Sequence, residues 1–405
     1  MHKEYSLQPV PVAGRVFTWW HMSLIWGGIS FCLPTFMIGA LPVPGLDWMS
    51  AFWVNAIGNA LCAVLIGLAG YGGLQTGLPS VVLYRQYFGR TFGGRVVSLA
   101  LFFSTCGWFG VMLAATADGL AESFQLFGST DTIMLTVLLG LGMTITSMIG
   151  NPAILLVNRL TVPLLMVLIT YYFYQAVAVE AYDYSTAYIP TGETDFLTML
   201  NLIIAGYIVG AVCASDFSRY AKDGQAHWIG TIIGVFAVSL FLSYIGMHSK
   251  VATGQWNPLK AAHFIGSGFI SQVVIVFAAW TTNHALLYSA GLSLSSLADS
   301  RHPKRCVTMA GTIGTGLALT GALSGLEQFL TVLSYIFPAL LGMFLSHIFI
   351  VAKYLPGTIH NAAGWVALFL GSAIPLFLPE GASITAGVTI GGGAWAILAR
   401  HWRDK

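Results

Sequence analysis

Long apolar stretches follow one another along nearly the whole chain, and they leave little choice of fold. A helix needs about 20 mostly apolar residues to cross a hydrocarbon layer of about 30 Å. Charged residues make up only 8% of the chain, against about a quarter in soluble proteins, which excludes a soluble globular fold. The sequence therefore predicts an all-α polytopic membrane protein. Its twelve predicted spans lie at about 16–42, 49–70, 96–124, 132–149, 153–179, 196–218, 226–248, 264–297, 306–324, 328–352, 361–378 and 382–400.

The positions of the basic residues predict the orientation of these spans. Lys and Arg favour cytoplasmic loops. With twelve spans and a cytoplasmic N-terminus, only Lys250 and Lys260 of the 17 basic residues lie in outer loops. We therefore expect the N-terminus (1–15) and the C-terminus (401–405) to be cytoplasmic, in a multi-pass protein of the inner membrane. Because the basic residues are spread over many loops, no nucleic-acid partner is expected.

Two of the predicted spans contain helix-weakening residues at matching places. The first span has Gly27, Gly28 and Pro34 near its middle, and the sixth has Gly206 and Gly210. Glycine and proline both weaken a helix interior. Interruptions five helices apart indicate a carrier built from two inverted repeats, with its binding site at mid-membrane. The alternative is ordinary helix packing through glycine.

The eighth predicted span carries a polar cluster, Thr281, Thr282 and Asn283. Polar groups within a span generally face a cavity or another helix. Threonine hydroxyls are oxygen ligands suited to a small cation, and a carboxamide can both donate and accept hydrogen bonds at the edge of a planar heterocycle. The alternative is a pair of hydroxyls bonded to carbonyls of their own helix, which is common in membrane helices.

The third predicted span places Trp108 between Gly107 and Gly110. The indole lies about a dozen residues inside the span, too deep for the aromatic belt at the headgroups. It fits either a stacking platform for a flat ligand or a side chain that fills the core.

Several runs of residues resemble those of one transporter family, the nucleobase-cation-symport-1 family, and its bacterial cytosine permeases in particular. The matching runs occur in order over most of the chain. They are 57–61 (IGNAL), 70–78 (GYGGLQTGL), 107–111 (GWFGV), 215–220 (SDFSRY), 280–283 (WTTN), 285–288 (ALLY) and 330–334 (LTVLS).

The resemblance implies the leucine-transporter-like fold, with five-plus-five inverted repeats and two extra C-terminal helices. The first repeat would occupy 16–180 and the second 196–353, and the extra helices would occupy 361–400. A monomer is expected, although no residue pattern fixes the oligomeric state.

The resemblance also implies a co-transported sodium ion. Its ligands would be the main-chain carbonyls of Gly28, Phe31 and Ala278 and the hydroxyls of Thr281 and Thr282. Such a site is chemically reasonable, because an interrupted helix leaves carbonyls without partners and a cation can satisfy them.

The implied solute is a nucleobase held between two aromatic rings. It would lie between Trp108 and Tyr207, with Asn283 bonding its polar edge. Stacking of a base on an aromatic ring contributes about 1–3 kcal/mol in nucleic-acid-binding proteins.

The chain departs from the cytosine permeases at positions that would read the solute. It has Thr105 where they are expected to have Gln, Tyr207 where Phe is usual, Gly206 and Val209 where Ser is expected, and His284 where Asp is expected. Because hydrogen-bonding sites discriminate strongly, these changes leave the identity of the heterocycle open.

The function implied by the resemblance is import of cytosine or a related pyrimidine by sodium symport with alternating access. The tenth predicted span, 328–352, contains Ser334, Pro338 and Gly342 and is the expected flexible gate. Asp216 and Arg219 are either an inner latch or an ordinary interfacial ion pair.

Coupling to protons, with another flat heterocycle as solute, is the main alternative. Intramembrane carboxylates and histidines are its candidates, namely Asp118, Glu122, His284 and His347. A channel would need rings of repeated polar residues, and an enzyme would need a nucleophile with a base or a metal cluster. Neither pattern occurs in the sequence, so we expect a transporter and not an enzyme.

Overall fold

The computed structural model describes residues 7–124, 129–149, 188–257, 268–300, 302–352 and 361–401, with isolated positions between 156 and 167. Within these ranges the chain forms helices and no β-strand. Three π-helical segments, Gly89–Val97, Ile232–Ala237 and His347–Val351, join or extend α-helices. The α-helices are α1 Trp19–Ser30, α2 Leu33–Gly39, α3 Trp48–Thr76, α4 Ser80–Phe88, α5 Ser98–Ser123, α6 Ser129–Ser147, α7 Phe196–Val212, α8 Ser215–Ser218, α9 Gly224–Thr231, α10 Val238–Thr253, α11 Gly268–Leu297, α12 Pro303–Leu319, α13 Leu326–Ser346, α14 Asn361–Ala373 and α15 Ser383–His401.

Most predicted spans coincide with these helices. In the described part of the chain, five helices are long and apolar enough to cross a membrane, or six if α1 and α2 form one bent span. The fifth predicted span, 153–179, and the predicted end of the first repeat at 180 lie outside the described residues, apart from isolated positions. The total of twelve spans and the division into repeats therefore stay predictions.

The break in the first span is confirmed. Helices α1 and α2 meet at an angle of 66°, and the two residues between them, Phe31 and Cys32, have non-helical backbone angles. Gly27 and Gly28 weaken the last turn of α1, and Pro34 favours a helix start because its missing N–H is not needed there. The sequence signal and the observed break thus have the same physical cause.

The predicted break in the sixth span is wrong in position. Helix α7 runs through Gly206 and Gly210 and ends at Val212, and the interruption falls at Cys213 and Ala214, before the short helix α8. Gly206 serves helix packing, since a Cβ there would lie 2.6 Å from the Cδ1 atom of Ile38 in α2. A membrane helix tolerates glycine where it allows a neighbour this close.

Aspartates fix the starts of three helices. Asp47, Asp195 and Asp223 accept backbone N–H groups in the first turns of α3, α7 and α9, which satisfies donors that a helix start leaves unpaired. The hydroxyl and N–H of Thr198 lower the pKa of Asp195. Gly77 and Gly254, both at positive φ, lie at the C-terminal ends of α3 and α10.

Helix α11 is central to the packing. It lies against α5, α6 and α12 and also contacts α1 and α2. Helix α13 packs on α7, α14 and α15. Outward-facing side chains such as Leu138, Ile145 and Phe369 are large and apolar, as expected of a lipid-facing surface. This arrangement places the break between α1 and α2 next to the middle of α11.

Glycines on α15 provide a test of the helix packing. A Cβ on Gly391 would lie 2.8 Å from the Cα and O atoms of Ala339 in α13, whereas a Cβ on Gly393 would meet nothing within 4 Å. Because backbone atoms cannot move aside easily, Gly391→Ala should destabilise the protein by about 1–3 kcal/mol. Gly393→Ala should be neutral or stabilising by up to about 1 kcal/mol. Thermal unfolding in detergent measures both, and equal melting temperatures would contradict this packing.

Candidate functional site

A cavity of about 90 Å³ lies between the broken pair α1–α2 and helices α5, α7 and α11. Most of its lining side chains are apolar. The structure brings together five of the six predicted solute-binding residues in this wall, namely Thr105, Trp108, Gly206, Tyr207 and Val209.

Trp108 lines the cavity and packs against α13. Its ring packs edge-to-face against Phe329, with centroids 5.3 Å apart and planes at 77°. A Cβ on Gly107 would lie 2.7 Å from the Phe329 ring, so glycine at this position lets Phe329 approach. The indole is 6% exposed and therefore has a fixed orientation beside the cavity.

Tyr207 contributes its ring to the cavity while its hydroxyl is engaged elsewhere. The hydroxyl lies 2.7 Å from Thr35 Oγ1 of α2 and 2.5 Å from Ser239 Oγ of α10. Cys32 at the helix break extends this chain, because its Sγ atom lies 3.1 Å from Thr35 Oγ1. Relative to phenylalanine, the added hydroxyl thus links three helices.

Asn283 is not part of the cavity wall. Its side chain is fully buried toward α6, where Nδ2 donates to Met143 Sδ at 3.1 Å. The residues of α11 that line the cavity are Thr282, Ala285, Leu286 and Ser289, at the i, i+3, i+4 and i+7 spacing of one helix face. The prediction that Asn283 bonds the solute does not match this placement.

A cluster of oxygen atoms lies where the end of α1 meets α11. Thr281 Oγ1 is 3.2 Å from Gly28 O and 2.8 Å from Ala278 O, and Thr282 Oγ1 is 3.0 Å from Gly28 O and 3.3 Å from Ala278 O. Both hydroxyls are buried. The structure thus brings together four of the five predicted cation ligands.

The oxygen atoms of this cluster lie at hydrogen-bond distances, slightly closer together than the ligands of a small cation. Sodium is close to calcium in size, and oxygen ligands at about 2.3–2.6 Å from such an ion lie about 3.3–3.7 Å apart when at right angles. A slight expansion and rotation of the two hydroxyls would therefore make room for the ion. The fifth predicted ligand, the Phe31 carbonyl, forms no hydrogen bond to either threonine in the described structure. Ile29 O lies 3.3 Å from Thr282 Oγ1.

Asp216 in α8 connects the cavity residue Ser289 to α4. Its carboxylate accepts from the backbone N–H of Ser80 at 2.8 Å and from the hydroxyl of Ser289 at 2.8 Å. The Arg219 guanidinium donates to the main-chain oxygen of Asp216 at 3.3 Å and to the Tyr288 hydroxyl at 2.6 Å. The contacts of Asp216 and Arg219, predicted to form either an inner latch or an ordinary ion pair, therefore involve α4 and α11 as well as α8.

The candidates for proton coupling lie away from the cavity. His284 bonds Thr146 of α6, and His347 accepts from the Trp395 indole at 3.4 Å. Asp118 and Glu122 are half-buried near the end of α5. None of these four side chains lines the cavity.

The sequence did not single out several residues of the wall, including Trp26, Cys32, Thr35, Met112 and Ser289. For Ser289, the helical spacing from Thr282 was an available signal. For Trp26 the only signal was its position two residues before Gly28, at the end of the first half-helix.

Comparison with known proteins agrees with this arrangement. Residues 9–360 match the family described as permeases for cytosine/purines, uracil, thiamine and allantoin. The chain is 27% identical to the cytosine permease of Escherichia coli strain K12 over 390 residues, which cover 93% of this chain and 89% of that protein.

Two solved structures share the fold. The chain superposes with a TM-score of 0.86 and 19% identity on Mhp1, a nucleobase-cation-symport-1 family transporter with bromovinylhydantoin bound, covering 99% of this chain and 96% of that one. It superposes with a TM-score of 0.71 and 14% identity on a sodium-coupled sialic acid symporter, covering 99% and 93%. These relatives are transporters, as the sequence predicted. The chain therefore belongs to the cytosine and purine permease family, the nucleobase-cation-symport-1 transporters.

Proposed function

We propose that this protein imports a nucleobase, cytosine or a related pyrimidine, together with sodium. The single observation that carries the proposal concerns Thr282. This residue lines the cavity, and its hydroxyl also belongs to the oxygen cluster at the end of α1. One side chain thus belongs to both the candidate solute site and the candidate ion site.

The size of the cavity favours a single-ring solute over a larger one. The Trp108 and Tyr207 rings line the cavity and can pack against a flat ring. Gly210 also lines the cavity and leaves space there, since a Cβ on it would meet nothing within 4 Å. An apolar cavity of about 150 Å³ accommodates benzene, so a cavity of about 90 Å³ must already expand for one ring. A bicyclic purine would require a much larger rearrangement.

Sodium would couple to the solute through the geometry of α1 and α11. A cation held by Gly28 O, Ala278 O and the two threonine hydroxyls would fix the end of α1 against α11, and both helices form cavity walls. A state with both walls in place binds the solute better, and linkage requires each ligand to raise the affinity for the other by the same factor. The inward sodium gradient then drives uptake.

Transport would proceed by alternating access in a protein of twelve spans with five-plus-five repeats, both termini being cytoplasmic. Pro338 lies inside α13, where the missing N–H weakens the helix and favours bending. On the inner side, the bonds from Ser80 and Ser289 to Asp216 would break when the cavity opens to the cytoplasm.

A proton-coupled carrier for another flat heterocycle is the second candidate. Asn283 lies outside the cavity wall, and no other side-chain amide lines the cavity. This placement favours a solute other than cytosine. The two candidates differ in the coupling ion, because uptake by a proton-coupled carrier would not require sodium.

Replacement of Thr282 tests the ion site. Thr282→Val keeps the side-chain volume but removes one ligand oxygen, and we expect at least about a 10-fold loss of sodium affinity. Titration of thermal stability with sodium, at constant ionic strength with choline, measures this affinity.

Thr136→Val is the matched control for this experiment. The Thr136 hydroxyl is likewise buried and bonded to a carbonyl of its own helix, Thr132 O at 2.8 Å, but it lies on α6 away from the cluster. Wild-type sodium affinity in Thr282→Val, or equal stabilisation of the wild type by sodium and choline, would contradict the ion assignment.

Replacement of Trp108 tests the solute site. Loss of a stacking contact of about 1–3 kcal/mol should weaken binding about 5- to 150-fold in Trp108→Ala, while Trp108→Phe should retain part of the affinity. Competition against labelled cytosine in proteoliposomes, with uracil, hydantoin and adenine as competitors, measures both the loss and the selectivity. Binding of adenine tighter than that of every single-ring compound would contradict the size argument.

A further inference from the structure

Trp26 is a cavity residue with an unused hydrogen-bond donor. It lies in the last turns of α1, lines the cavity and is 1% exposed. Its indole Nε1 is buried and has no hydrogen-bond partner among the described residues. Leaving a buried donor without a partner destabilises a protein by about 1–3 kcal/mol. A ligand that supplies an acceptor to this N–H would remove that destabilisation.

The surroundings of Trp26 hold its ring in place. The ring packs edge-to-face against Phe217, with centroids 5.5 Å apart and planes at 67°. On the other side, a Cβ on Gly234 would lie 2.6 Å from Trp26 Cβ, so that segment approaches closely. The indole is therefore preorganised, and little conformational entropy would be lost when it binds an acceptor.

Two hydroxyl groups of the cavity wall already donate to protein acceptors. The hydroxyl of Thr105 donates to Leu101 O at 2.7 Å, and that of Ser289 donates to Asp216 Oδ2 at 2.8 Å. Their protons are committed to protein acceptors, so toward the cavity they offer lone pairs, which suit N–H groups of a solute. Neither of these two hydroxyls is available to donate to a carbonyl of the solute.

We propose that Trp26 is a solute-binding residue that determines specificity, its indole N–H donating to a ring carbonyl of the solute. This inference rests on the proposed function. In this arrangement Trp108 and Tyr207 bind the faces of the ring, and Trp26 reads one position on its edge. A ring with a carbonyl at that position is preferred to the same ring without it.

A double-mutant cycle between protein and solute tests this assignment. Affinities of wild type and Trp26→Phe are measured for cytosine, uracil and hydantoin, and for analogues lacking a ring carbonyl: 4-aminopyrimidine, pyrimidin-2-one, pyrimidin-4-one, imidazolidin-2-one and imidazolidin-4-one. Phenylalanine keeps an aromatic ring against Phe217 but has no N–H. We expect Trp26→Phe to bind the parent compound, which has the carbonyl, at least about 10-fold more weakly than the wild type does. For the analogue that lacks the carbonyl contacted by Trp26, we expect the wild type and Trp26→Phe to have equal affinities.

The outcomes separate this inference from the proposed function. Unchanged affinity of Trp26→Phe for the parent compound overturns the role of Trp26. So does an equal loss for the parent and all its analogues, since that pattern indicates loss of packing alone. Sodium-dependent stabilisation without solute shows whether the variant is folded. If the wild type binds neither cytosine nor uracil, the proposed function fails. If it does not bind hydantoin either, this inference fails with it.

Discussion

The arrangement of the helices depends on how the backbone carbonyls at a broken membrane helix obtain hydrogen-bond partners. In the hydrocarbon region no water is available to carbonyls that have lost their helical partners, and each one left unsatisfied is costly. At the junction of α1 and α2 the Gly28 carbonyl is met by the hydroxyls of Thr281 and Thr282. The break and the threonine pair therefore form one unit, which is also the proposed cation site.

This unit also explains the position of the cavity. Helix α11 carries the threonines at one level and the cavity residues Ala285, Leu286 and Ser289 one to two turns further along. Ser289 in turn contacts Asp216, which accepts the first N–H of α4. A continuous set of contacts thus leads from the candidate ion site, past the cavity, to α4. Because α11 carries both Thr282 and Ser289, a shift of this helix relative to α1 would affect both sites.

The sequence predicted those features that have a local cause. Gly27, Gly28 and Pro34 disfavour a continuous helix whatever surrounds them, and the first break is found where they lie. Features that depend on neighbouring helices were not predictable in the same way. Gly206 resembles a helix breaker but serves contact with Ile38, and Asn283 resembles a solute contact but faces Met143. The rotation of α11 about its axis is set by its packing on α5 and α6 and not by the residues of α11 alone.

The central claim, that one threonine joins an ion site to a solute site, is tested most directly by thermodynamic linkage. Isothermal titration of cytosine at several sodium concentrations, and of sodium at several cytosine concentrations, measures the two coupling factors independently. We predict that sodium raises the affinity for cytosine and that cytosine raises the affinity for sodium by the same factor. A cytosine affinity that is the same in sodium and in choline would contradict the claim.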